Sequence, residues 1–188
     1  MRGLFIYCYN DNMSGHSKWS QIKHQKGAAD LKRGRLFSKL LKAVSIAAKN
    51  EPNPNFNPRL RSTIEKAKEN NVPQENIERA VRGAAEEKNL EDLVIEAYGP
   101  EGAQLLIEAI TDNRNRTISE IKHLLTEQET KMAGPGSVLW AFEKINNEWR
   151  AKFPQTISAG AKEKLTNLIS ALEEHEDVQR VITNAIHL

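Results

Sequence analysis

Residues 93–111 read LVIEAYGPEGAQLLIEAIT: two apolar runs of strand length joined by Gly99-Pro100-Glu101-Gly102. Turn-forming residues between two such runs predict a β-hairpin. Downstream, TDNRNRTISEIKHLLTEQ carries Ile118, Ile121, Leu124 and Leu125 at helical spacing. Thr117 and Glu120 stand at capping-box spacing, which places the helix start at Thr117 and leaves Arg114 and Arg116 in the preceding loop. GPGSVLWAFEK, residues 134–144, reads as a turn and a third strand. In residues 161–184, Leu165, Leu168, Ile169 and Leu172 mark a second helix, and Val178–Thr183 a final strand. The order β-β-α-β-α-β predicts an α+β, ferredoxin-like sandwich over residues 89–188, a sheet with two helices on one face.

Working outward toward the N-terminus, residues 31–88 change period and read as a helical domain. Phe37, Leu40, Leu41, Val44, Ala47 and Ala48 recur on one helix face. The three prolines of EPNPNFNP end that helix, since proline cannot donate the bonds that continue it. Asn57 then caps a second helix with Pro58 at its first position, where the missing N–H costs nothing. Pro73 opens a third helix through Ile77, Ala80, Val81 and Ala84. The expected architecture is therefore a three-helix domain followed by the sandwich.

Charge is distributed unevenly along this plan. Of 188 residues, 39% are apolar and 28% charged, with a formal net charge of +2. Residues 1–50 hold ten Lys/Arg against two Asp/Glu, whereas residues 89–188 hold ten against sixteen. A basic end on an acidic body is the footprint of a polyanion partner, most often nucleic acid. No apolar run reaches the roughly 18–20 residues of a membrane span. The single cysteine, Cys8, cannot form an internal disulfide, which points to a reducing, cytoplasmic setting. Residues 1–12 read as an extension upstream of a natural start at Met13.

Residues 13–30 hold three lysines, Trp19 and little apolar material, and are expected to form a flexible basic arm. Lys18, Lys23, Lys26, Lys32, Arg33 and Arg35 suit phosphate neutralisation with counterion release. Trp19 is either a stacking face for an unpaired base or an anchor for the arm. Cations mixed with an aromatic ring suit RNA or single strands better than a duplex groove. Arg114 and Arg116 beside a helix N-terminus form a second expected anion site, unless nearby glutamates take them.

Catalytic patterns are poorly represented. There is no P-loop, no GxGxxG after a strand and no HExxH. His16 and His24 have no carboxylate or cysteine placed to complete a metal site, and His123 reads as a boundary histidine. Glu173, Glu174, Glu176 and Asp177 read as a solvated acidic turn at a helix end. The residues thus predict a binding protein, not an enzyme, with no cofactor and no metal, in which a monomer is favoured.

Three stretches carry a resemblance: residues 15–40, GHSKWSQIKHQKGAADLKRGRLFSKL; residues 57–83, NPRLRSTIEKAKENNVPQENIERAVRG; and YGPEGAQLLIEAITDNRNRT with GPGSVLWAFEK. Together with LISALEEHEDVQRVITN they resemble the YebC/PmpR family, whose mitochondrial members act as translational activators of cytochrome c oxidase subunit I. The resemblance implies a helical domain followed by α/β domains, in a cytoplasmic protein without a cofactor. It implies either DNA-binding transcriptional regulation or a ribosome-associated factor that relieves stalling at proline-rich stretches, with rRNA, tRNA or DNA as partner. Lys18, Trp19, Lys23, His24 and Lys26 match the family's motif, as do Arg114 and Arg116. Family members usually insert a further α/β domain after WAFEK, and here it is expected to be missing between about residues 145 and 155. A third class, a protein-interaction module acting through the acidic domain, is separable by deleting residues 13–35.

Overall fold

A computed structural model describes the backbone of residues 15–84, 89–145 and 148–186, and their side chains from Asp30 onward. Residues 1–12, expected as an extension, lie outside that range. The chain divides after Leu36 into two compact units.

Helix α1 runs Gly15–Ala48. The stretch expected as a flexible basic arm, residues 13–30, is helical in backbone from Gly15. Its Gln, Lys and Ala residues have good helix propensity, and no proline interrupts residues 15–48. A glycine at 27 costs a helix about 1 kcal/mol relative to alanine and weakens it without ending it.

In the second unit, the C-terminal part of α1 packs on α2, Pro58–Glu69, and α3, Gln74–Gly83. Leu40, Val44, Ala47, Leu60, Ala67, Val72 and Ile77 form one buried cluster. Asn57 caps α2 as expected: its Oδ1 accepts the Leu60 N–H at 3.0 Å. Its Nδ2 also donates to Ala47 O at 2.7 Å and Glu51 O at 2.8 Å, so one amide binds the end of α1 to the start of α2. Asn71, at φ 60°, turns the chain out of α2, a conformation asparagine tolerates better than most residues.

The sandwich begins with β1, Glu91–Tyr98, and β2, Gln104–Thr111, paired antiparallel with Leu93 opposite Ala109 and Ile95 opposite Ile107. Gly102 at φ 78° closes the hairpin, where a side chain would strain the backbone. There follow α4, Arg114–Glu127; β3, Lys131–Met132; β4, Phe142–Ile145; β5, Glu148–Ala151; β6, Gln155–Thr156; α5, Ala159–Glu174; β7, Val178–Thr183; and β8, Ala185–Ile186. The main sheet has the order β3-β1-β2-β7, with the hairpin central and its neighbours antiparallel.

Leu93, Ile95, Leu105 and Ile107 face Ile121 and Leu125 of α4 and Leu165, Leu168 and Leu172 of α5 in one cluster. Both helices therefore lie on one face, as the α+β sandwich requires. Each such side chain contributes about 1.5–3 kcal/mol on burial. The opposite face carries a smaller cluster, in which Leu106 and Ile182 meet Val138, Ala141 and Phe142.

Two local expectations are corrected. The third strand of the main sheet is the two-residue β3, and Phe142–Ile145 pairs instead with β5 in a separate hairpin. Alternation alone does not distinguish partners for a short strand. Helix α4 starts three residues before Thr117: Asn113 is the cap, its Oδ1 accepting the Arg116 N–H at 3.2 Å. Asn113 competes successfully because Thr117 is fully buried and its hydroxyl is engaged elsewhere.

Candidate nucleic-acid interface

The residues singled out by charge fall into groups with different environments. Lys18, Trp19, Lys23, His24 and Lys26 belong to α1 by backbone, and their side chains lie outside the described residues. Lys32, Arg33 and Arg35 follow on the same helix and are exposed. Lys32 and Arg35 are three residues apart, a spacing that puts them on one face. Cations so placed on a rigid helix can engage successive phosphates.

Further along α1 the lysines are used internally. Lys39 Nζ donates to the Glu173 carbonyl at the end of α5. Lys42 Nζ lies 2.6 Å from Asp177 Oδ1. The Asp177 side chain is fully buried, and Arg116 and the Thr117 hydroxyl each approach its Oδ2 at 2.8 Å. Asp177 also ties the backbone: its carbonyl accepts the Ile110 N–H at 2.9 Å. Burial alone would raise its pKa, but hydrogen bonds from Lys42 and Thr117 and the charges of Lys42 and Arg116 hold it below the usual carboxylate range. Expected to lie in a solvated turn, Asp177 is instead the ionic centre of the second unit.

This hub changes the reading of the arginine pair. Arg114 and Arg116 occupy the first turn of α4 and not a preceding loop. Arg116 lies 3.0 Å from Asp112 and 2.8 Å from Asp177, with Glu176 at 3.8 Å and Glu120 at 4.0 Å. Burial would lower its pKa, yet Asp177, Asp112 and Glu120 raise it above the ordinary value. Its guanidinium is therefore spent on carboxylates. Arg114 is more open, at 55% side-chain exposure, with Glu91 at 3.6 Å.

Glu120, His175 and Asp177 place potential metal-ligand atoms within 4.8 Å of one another. Their donors already have partners: His175 Nδ1 accepts the Asp177 N–H at 3.1 Å, and Nε2 is 3.0 Å from Glu120 Oε2. With Lys42 and Arg116 on the same carboxylate, the geometry is that of an ion-pair lock. No sequence pattern separated Asp177 from its acidic neighbours, because burial comes from α1 and α4, distant in the chain.

A groove of about 470 Å³ in the second unit is lined by Arg59, Lys66, Asp92, Glu108, Trp149 and Arg180, among others. Arg59 grips Asp92 through both terminal nitrogens at 2.7 and 2.9 Å, so this groove carries both signs of charge.

Comparison with known proteins matches residues 17–87 to the TACO1/YebC protein N-terminal domain and residues 90–147 to the TACO1/YebC second and third domain. A "Probable transcriptional regulatory protein" of Trichlorobacter lovleyi is 44% identical over 174 residues, covering 89% of this chain and 69% of the relative. A protein with the same description from Geobacter sulfurreducens is 48% identical over 136 residues, covering 70% of this chain and 55% of its own length. The crystal structure of a conserved hypothetical protein from Aquifex aeolicus superposes with a TM-score of 0.77 at 30% identity, over 85% of this chain and 92% of that one. The chain thus spans from about half to two thirds of the curated relatives it matches. No helix among the described residues is long and apolar enough to cross a membrane.

Proposed function

Because the chain belongs to the TACO1/YebC family, we propose that it is a nucleic-acid-binding regulator of gene expression. The finer proposal is a translation factor that associates with RNA on the ribosome and relieves stalling at proline-rich stretches. The observation that carries the nucleic-acid reading is the exposed basic helix: Lys32, Arg33 and Arg35 lie at the surface of α1, in the stretch where cations outnumber acids ten to two. Neutralising phosphates with these groups releases counterions, so binding weakens steeply as salt rises. Lys18, Trp19, Lys23, His24 and Lys26, on the same helix, are proposed to extend that contact.

Arg114 is the member of the arginine pair best suited to reach a phosphate, with Arg116 orienting the α4 start through Asp177. The β4–β5 hairpin is proposed to stand where longer relatives insert their further domain. The partner in this reading is rRNA or tRNA, and no step requires a cofactor.

Sedimentation of the protein with ribosomal particles through a low-salt sucrose gradient tests the translational reading. Co-sedimentation lost on substituting Lys32 and Arg35 supports it; a protein that stays at the top of the gradient overturns it. The names of the relatives, probable transcriptional regulatory proteins, favour a second reading, a DNA-binding transcriptional regulator. Binding to a duplex that survives excess nonspecific DNA and RNA would select that alternative.

A further inference from the structure

The described surface of the second unit bears a feature the basic helix does not explain. Trp140 is 58% exposed and Phe153 49% exposed, and their ring centroids lie 5.6 Å apart at an interplanar angle of 43°. Two adjoining exposed rings form a contiguous apolar patch, which is more informative of a contact surface than a lone exposed side chain. Both are held in place. Glu96 on β1 accepts backbone N–H groups from Gly136 at 2.5 Å, Val138 at 2.6 Å and Leu139 at 2.8 Å, fixing the loop that presents Trp140. The indole N–H donates to Ser137 O at 2.9 Å. Phe153 is anchored by its backbone, its carbonyl accepting from Asn184 Nδ2 at 3.0 Å.

With its N–H spent internally, Trp140 offers only a ring face. Lys152 Nζ lies 5.3 Å from the Phe153 ring centroid. The surrounding charge is also distinctive. Residues 139–155 carry Lys144, Arg150 and Lys152 against Glu143 and Glu148, while the rest of residues 89–188 carries seven cations against fourteen acids. The segment that carries both rings thus holds one more cation than acids in a part of the chain where acids dominate, and Lys152 stands directly beside Phe153, which complements a chain of bases and phosphates. The inclination of the rings suits bases splayed along a flexible strand better than a stacked duplex.

We propose that Trp140 and Phe153 form a stacking platform for unpaired bases of a single-stranded nucleic acid, with Lys152 beside it to take a phosphate. The proposal rests on the nucleic-acid reading above and adds a second contact, in the α+β part of the chain. Base–aromatic stacking tolerates any sequence because every base has a π-face. The platform therefore contributes affinity for single strands without base specificity.

The test uses the full chain and fluorescein-labelled single-stranded RNA and DNA of about 12 nucleotides, read by anisotropy over a range of salt. Trp140→Ala and Phe153→Ala should each weaken binding about 5- to 100-fold with an unchanged salt slope, and Trp140→Tyr should restore most of it. Lys152→Ala should reduce the slope by about one. Preference for RNA over DNA would identify RNA as the natural strand; equal binding assigns the site to unpaired bases of either sugar. Photocrosslinking of a halogenated-uridine strand to the unmodified protein gives a readout independent of any variant's folding, and should map to Trp140 or Phe153.

Crosslinks confined to residues 15–49, with both alanine variants binding normally, overturn the platform and leave the nucleic-acid reading standing. An unmodified protein that binds neither strand removes both. A protein partner lost on Trp140→Ala while strand binding is unchanged also overturns the proposal.

Discussion

Lys32 and Arg35 on α1 differ from Lys42 and Arg116 in what surrounds them, though all four counted equally in the formal charge. The first two are exposed. The second two converge on the buried carboxylate of Asp177. Charge available to a ligand is therefore smaller than charge in the sequence, and the difference is decided by burial of the opposing acid. One group is exposed and is proposed to bind a polyanion, and the other holds the helices of the second unit against its sheet.

The strongest way to break this contrast is Asp177→Ala. It leaves Lys42 without its carboxylate and Arg116 with only Asp112, Glu176 and Glu120, and should cost about 3 kcal/mol in denaturant unfolding, with strand affinity unchanged. A loss of binding with normal stability would mean the hub, too, faces the ligand. Arg116→Ala should cost about 1–3 kcal/mol, since Lys42 still compensates Asp177, whereas Arg114→Ala should change stability by less than about 0.5 kcal/mol. Equal effects of the two would erase the distinction between them.

Asn57→Ala removes the α2 cap and the bonds to Ala47 and Glu51, and should cost about 1–2 kcal/mol by thermal unfolding. The smallest stability change belongs to Lys32→Ala with Arg35→Ala, within about 0.5 kcal/mol. The same double substitution should lower the salt slope of binding by about two.

Acid sharpens the comparison without any substitution. Asp177 has a depressed folded pKa, so its stabilisation is fully present above the unfolded value of about 3.9 and is lost as pH falls through the folded value. Glu96 contributes in the same direction: burial would raise its pKa, but the N–H groups of Gly136, Val138 and Leu139 bring it down. Unfolding free energy should thus fall below about pH 4, and Asp177→Asn should flatten part of that fall. An unaltered pH profile in the variant would show that the hub does not couple to folding.

Much of the fold was legible where the signal is local. The prolines after α1, the Asn57-Pro58 start of α2 and the Gly99–Gly102 turn each impose backbone geometry through their own covalent structure. Leu165, Leu168 and Leu172 repeat at the helical period, and they are buried on the face that period predicts. The third strand was not legible, because two residues carry no period. Thr117 was misread as a cap because capping-box spacing ignores competition from Asn113, four residues earlier. The candidate site divides along the same line. The excess of cations before residue 50 is a property of the chain, while Glu96, Trp140 and Phe153 are brought together from three separate segments.

By itself, the sequence determined the α+β class, the helical period of its core and the basic character of its first fifty residues, since propensity, periodicity and covalent turn geometry act between near neighbours. Only the tertiary structure decided which charges remain available. Asp177 and its acidic neighbours look alike in the chain, and they became different when α1 and α4 closed over one of them. Desolvation depends on what packs from a distance, and no local pattern encodes it.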